Sequence, residues 1–354
     1  MPERTPQDIE TPALLVDLNA MEQNLRTMAR FFCNRPARLR PHFKNHRVLE
    51  LAERQMELGA IGITCARLWQ AERLVRRGIR SVLIANEVAG DGDLRRFVEL
   101  SREAPVLLAV DHEEVVRELG RLARSSGVQL NVVVDVELGL KRCGVAPGQP
   151  AAELAKAAVA EGLQFRGLMG YEGHLQLLAP GSEKETVVSR AMQSLADTRA
   201  LIEAEGIPVS VVSCGGTGDY RTAGSYPGIT ENQAGSYLLM DRSYAAAAPD
   251  FHETLVVLAT VISVTPGERI VVDAGVKAVS GERGLPVVKN MPGLRLRALH
   301  AEHAPIDILE PGVALKPGDR IELAVHYHDA TVNLHRRMFG VRNGVVEREF
   351  TIEH

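Results

Sequence analysis

The densest chemistry in the chain lies in Arg40-Pro41-His42-Phe43-Lys44-Asn45-His46-Arg47. Read as a strand, the segment places Arg40, His42, Lys44 and His46 on one face, because side chains alternate. The apolar runs that follow it imply a buried strand, where a row of cations is costly without an anionic ligand or paired carboxylates. An amine crowded by other cations and partly out of water gives up its proton more readily, as a carbonyl-condensing lysine must. A solvated or salt-bridged edge strand explains the same spacing without chemistry.

Three further groups stand out. Ser213-Cys214-Gly215-Gly216-Thr217-Gly218 follows a predicted late strand, where glycines let backbone N–H groups approach an anion and Thr217 adds a hydroxyl. In barrels such a loop is a common phosphate site. His326-Tyr327-His328-Asp329 places two imidazoles on one strand face with a carboxylate directly after. A bend at 328–329 aims all three at one ion, and the mixed donors suit Mn²⁺, Mg²⁺ or Zn²⁺. Such a cluster is also compatible with simple solvation. Tyr171 and His174, in Gly170-Tyr171-Glu172-Gly173-His174, close another predicted strand. Barrel sites sit at such ends, and His174 can move protons near neutrality.

The elements that would position these groups form two textures. From about residue 38 to 245, apolar runs at 39–44, 60–65, 81–86, 105–110, 131–136, 165–171 and 209–214 alternate with amphipathic stretches. Runs rich in Val, Ile and Leu without alternation fit parallel strands buried on both faces. Helical spacing connects Val115, Leu119 and Leu122, and likewise Leu68, Ala71, Leu74 and Val75. Glycines at 59, 78, 127, 162 and 206 suit helix C-caps. Repeated units of this kind predict an α/β fold, a (β/α)8 TIM-type barrel over 20–245. After about 250, strand-like runs alternate with turns such as Thr265-Pro266-Gly267 and Lys316-Pro317-Gly318-Asp319. They predict a smaller C-terminal β domain, joined by the strand-like segment 11–17, so that 1–19 and 246–354 form one unit.

Composition narrows the function classes. A formal net charge of −4 gives no reason to expect nucleic acid or an anionic membrane as partner. No apolar run reaches membrane length, and the polar opening lacks a signal pattern, so a cytoplasmic protein is expected. The four cysteines, at 33, 65, 143 and 214, form no CxxC pair and are expected to be reduced, with Cys143 and Cys214 placed to line the site.

The motifs together carry a resemblance. Thr11–Leu18, the RPHFKNH segment, Asp135–Val145, GYEGH, Gly215–Tyr220, Thr230–Asp241, Val272–Ser280 and HDATVNLH follow one another as in the D-threonine aldolase / D-serine dehydratase family. These are fold-type III enzymes dependent on pyridoxal 5′-phosphate (PLP) and related to alanine racemase. The resemblance implies that Lys44 holds PLP as a Schiff base. It implies that Arg142 faces the cofactor's phenolate, and that Gly216, Thr217 and Gly218, with Gly235, Ser236 and Tyr237, bind its phosphate. Tyr171 would contact the cofactor and His174 would serve as acid–base group. Glu172 departs from the histidine of some relatives.

The family aldolases carry a His-x-Asp metal pair before Thr-Val-Asn, and the eukaryotic dehydratases His-x-Cys. Asp329 matches the carboxylate, but Tyr327 stands at the histidine position, so either His326 or His328 is the imidazole ligand through a local shift or the metal is lost. His303 is a supporting candidate. The implied activity is retro-aldol cleavage of a small-molecule β-hydroxy D-amino acid to glycine and an aldehyde, by a homodimer. Alternatives are a dehydratase yielding a 2-oxo acid and ammonia, an amino-acid racemase using Tyr327, and a non-catalytic PLP carrier.

Overall fold

A computed structural model describes residues 4–354, which divide into two compact units. One comprises Met28–Lys44 and Leu49–Gly235; the other the chain through Thr27, Asn45–Val48 and Ser236–His354.

The first unit is built on eight parallel strands: Arg38–Leu39, Ile63–Cys65, Val82–Ile84, Leu107–Val110, Asn131–Val136, Gln164–Gly170, Val211–Cys214 and Glu231–Asn232. Each neighbours the next in sequence, save that the first pairs with the last. A bridge from His42 to Thr64 and the Ile61 N–H donating to the Leu39 carbonyl (2.9 Å) join the first strand to the second as well. The sheet is therefore a closed barrel, as the βα repeats predict. Leu83, Ala109, Val133 and Met169, one from each of four neighbouring strands, form a buried cluster. Helix Glu113–Ser126 starts on His112, whose side chain accepts the Glu114 N–H, and stops at Gly127 in the left-handed region. That conformation is cheap only for glycine.

Two strand expectations change. The Arg38–Leu39 strand is shorter than the predicted 39–44, and Lys44 lies in a 3-10 turn, Phe43–Asn45. Pro41 has no N–H to give the ladder, and the chain turns after His42. Arg40, His42, Lys44 and His46 therefore do not share one strand face. Arg40 is 5% exposed and pairs through two bonds of 2.7 Å with Glu231 on the last strand. Its cation is answered by a structural carboxylate, not by a ligand. The eighth strand, Glu231–Asn232, escaped the sequence because two polar residues make no apolar run.

This buried pair ties the segment after the first barrel strand to the last strand. Arg40→Ala strands a buried carboxylate and should cost roughly 3–5 kcal/mol of stability in urea unfolding. An Arg40→Met, Glu231→Leu double variant should recover most of that loss. A single variant as stable as the parent would refute the structural role.

The second unit holds a nine-stranded sheet. The segment expected at 11–17 is strand Ala13–Asp17, antiparallel to Leu255–Thr265 and parallel to Arg337–Arg342. Both ends of the chain thus supply this sheet. The other pairings are antiparallel. Among the described residues, no helix is long and apolar enough to cross a membrane.

Candidate active site

In the barrel unit the chemistry gathers on segments that follow strand C-termini. Phe43, fully buried, anchors the turn that carries Lys44. The Lys44 N–H donates to His42 Nδ1 at 3.4 Å, and Lys44 Nζ stands 6.0 Å from the Tyr171 ring centroid. Tyr171 directly follows strand Gln164–Gly170, and the Arg142 guanidinium lies 5.5 Å from the same ring. Lys44, Arg142 and Tyr171 are therefore brought together.

Arg142 rides on a loop that Glu137 shapes: its Oε1 accepts the N–H groups of Gly139 (2.6 Å) and Lys141 (2.7 Å). His174 is exposed in the 3-10 turn Gly173–Leu175; a Cβ on Gly139 would meet its ring at 3.0 Å. Asp135 and Glu87 sit close by. Burial, then the Glu87 carboxyl, pushes Asp135 up to about 8. Donor atoms of Glu87, Asp111 and Cys143 lie within 4.8 Å of one another, a grouping the sequence did not suggest. Burial, then Glu87, pushes the Cys143 thiol up to about 11, which disfavours the thiolate a metal needs.

The glycine loop is arranged differently from the sequence expectation. The Gly216 N–H donates to Asp219 Oδ1 (2.8 Å) and the Gly218 N–H to Gln176 Oε1 (2.9 Å). These donors are spent inside the loop. The glycines are needed for close approach instead: a Cβ on Gly218 would lie 1.9 Å from the Gln176 carbonyl oxygen. Thr217, 2% exposed, stands between them.

The second unit assembles another polar site. His328 opens the short helix His328–Val332, so it is not on a strand with His326. Asp241, buried, accepts the His328 N–H with Oδ2 (3.0 Å), and the same oxygen lies 2.6 Å from His328 Nδ1. His328 Nε2 faces Asp329 Oδ1 at 2.9 Å. The Asn45 amide nitrogen approaches Asp329 Oδ1 (2.6 Å), Ser236 Oγ (3.2 Å) and His328 Nε2 (3.3 Å). Burial alone would push His328 down, but Asp329 and Asp241 on its two sides outweigh it and hold it at about 10.

His326 is elsewhere. Its ring lies against Gly284, where a Cβ would be 3.4 Å away, and the donor atoms of His326, His328 and Asp329 do not converge. The helix start at His328 breaks the strand alternation that would have aligned the two imidazoles. Tyr327 instead stacks under the Arg283 guanidinium at 3.9 Å. Ser236 is engaged by Asn45, and Tyr237 is buried with its ring 5.7 Å from Phe251.

Residues 16–243 match the model of the alanine racemase N-terminal domain, and 254–341 that of a serine dehydratase domain. The chain is 36% identical to the D-threonine aldolase of an Arthrobacter species over 96% of its own length and 91% of that protein's. The chain belongs to the D-threonine aldolase / D-serine dehydratase family. It is 32% identical to the 3-hydroxy-D-aspartate aldolase of Paracoccus denitrificans strain Pd 1222, covering 98% of this chain and 92% of that one. The crystal structure of D-threonine aldolase from Filomicrobium marinum superposes with a TM-score of 0.94 at 35% identity, over 99% and 98% of the two chains. This family member is accordingly an enzyme, a lyase on a PLP-dependent fold. Sequence reasoning missed Asp241, Asn45, Gln176 and Asp219. Asn45, Asp219 and Asp241 all lie inside the segments that carry the resemblance, but nothing in those segments set them apart.

Proposed function

We propose that the protein cleaves β-hydroxy D-amino acids of the D-threonine kind to glycine and an aldehyde, with PLP held by Lys44 and a divalent ion held by His328 and Asp329. The observation that carries this reading is the pairing of Asp329 with His328 Nε2, 2.9 Å apart. Asp241 takes Nδ1, so an ion would bind at Nε2, displacing the proton that Asp329 and Asp241 otherwise hold on the ring. An imidazole and a carboxylate side by side suit Mn²⁺, Mg²⁺ or Zn²⁺. His326 is left out of the set.

The barrel residues fit the organic cofactor: one lysine and one arginine beside a tyrosine ring, with a glycine turn braced for close approach. When bound, PLP supplies an electron sink for the charge left at Cα. A divalent ion supplies Lewis acidity to the β-hydroxyl. Arg142 offers a fixed positive charge that favours an ionised phenolate. His174, exposed on its turn, takes the β-hydroxyl proton; the Cα–Cβ bond then breaks, the aldehyde departs, and Cα gains a proton to give glycine. Thr217, Gly235, Ser236 and Tyr237 are kept as phosphate-side residues, with Gly216 and Gly218 as shape-givers. A cytoplasmic homodimer completes the proposal, on the family resemblance.

The serine dehydratase domain match favours a second outcome, loss of the hydroxyl to give a 2-oxo acid and ammonia. Incubation with D-threonine separates the two. The aldolase reading expects glycine and acetaldehyde in equal amounts; 2-oxobutyrate as the main product would replace it with the dehydratase.

A further inference from the structure

Beneath the glycine turn of the barrel unit lies a closed ring of buried polar groups. Asp219 Oδ1 accepts the Gly216 N–H, and Asp219 Oδ2 accepts Gln176 Nε2 at 2.5 Å. Gln176 Oε1 returns to the Gly218 N–H, which closes the ring. Gln176 is itself pinned, because Lys184 Nζ donates to its carbonyl (3.0 Å) and to that of Leu178 (2.9 Å). Gln176 is 1% exposed and Asp219 3%. A Gly-Gly-Thr-Gly turn is costly to order, and a turn ordered in advance does not draw that cost from a ligand's binding energy.

We propose that Gln176 and Asp219 are positioning residues for the cofactor phosphate: by taking up the Gly216 and Gly218 N–H groups they fix the shape of the 215–218 turn against which the phosphate would lie. The inference rests on the proposal that PLP binds at Lys44. It assigns these side chains no contact with the cofactor; they act through the backbone of the turn.

Charge bears on the same point, since an acid under a phosphate site works against the anion. Glu172, wholly buried, adjoins Asp219, and neither Glu172 oxygen has a hydrogen bond of good geometry among the described residues. Burial, then Asp219, raises the Glu172 carboxyl well above the ordinary range, and burial raises Asp219 too. The pair is best satisfied by one shared proton, leaving a single negative charge that Lys184 partly offsets. Glu172→Gln, a neutral stand-in for the protonated acid, should therefore preserve cofactor affinity.

The test uses the full-length protein stripped of cofactor with hydroxylamine and titrated, by visible absorbance, with PLP or with unphosphorylated pyridoxal. Gln176→Met removes both polar ends at similar volume. Asp219→Asn is isosteric; it breaks the Gln176 link and also removes the acid paired with Glu172, so it is read beside Glu172→Gln, which changes the acid pair and leaves the link intact. Gln176→Met and Asp219→Asn should each weaken PLP binding roughly ten- to hundred-fold, in line with stranded buried hydrogen-bond partners. Each should leave pyridoxal binding unchanged. Unaltered PLP affinity in both variants overturns the inference, and so does an equal loss for both aldehydes, which would mark a general structural role. If the unsubstituted protein binds no PLP, the cofactor proposal itself fails; if it binds PLP normally and only the variants disagree, the positioning role alone is lost.

Discussion

Lys44→Ala protein should fold normally, remain colourless with PLP, and lose on the order of 10⁴-fold or more in D-threonine cleavage, as enzymes do when an essential covalent group is removed. Lys44 lies on a turn anchored by the buried Phe43 and by the Lys44 N–H donating to His42 Nδ1, with its side chain only partly buried. Little packing is lost on truncation, so a folding defect would not explain the drop. Lys44→Arg should be as inactive, because a guanidinium stays protonated and cannot condense with an aldehyde. Visible absorbance and product formation, measured side by side, check both variants. Retained colour with retained turnover would remove Lys44 from the site.

Asp329→Ala should purify without the divalent ion and turn over some 10²–10³-fold more slowly, the scale of several kcal/mol of lost Lewis-acid assistance. His328→Ala should behave alike, whereas His326→Ala should keep both ion and rate, since its ring packs against Gly284 instead. Asp241→Asn should weaken ion affinity about 10–100-fold without removing a ligand, because its role is to fix the orientation of the His328 ring. Elemental analysis, and chelation followed by Mn²⁺, Mg²⁺ or Zn²⁺, give the readings. An ion retained by Asp329→Ala would place it elsewhere, with Glu87, Asp111 and Cys143 as the remaining donor group among the described residues.

Much of this architecture was legible because burial on both faces leaves a plain signature. Asn131–Val136 reads as a barrel strand from its valines, and helix Leu68–Arg76 from apolar positions that are indeed buried. The Lys44, Arg142 and Tyr171 grouping was implied by the family resemblance, and the structure brings the three side chains together. What escaped depends on contacts remote in sequence. Arg40 looked like part of a ligand's cationic wall until Glu231, 191 positions away, took it. The two imidazoles of His326-Tyr327-His328 looked equivalent until a helix start separated them. Asp241 and Asp219 are acids whose meaning comes only from the groups they hold, His328 and the glycine turn. The glycines were singled out as donors to an anion, whereas in the structure the Gly216 and Gly218 N–H groups donate to Asp219 and Gln176 and both glycines admit Gln176 closely.

The most direct check is chemical. Reduction of the PLP-loaded protein with borohydride, followed by proteolysis and mass spectrometry, should find the pyridoxyl group on the peptide containing Lys44 and on no other. A tag on a different lysine, or none in a protein that still cleaves D-threonine, would contradict the assignment on which every other role at the barrel site depends.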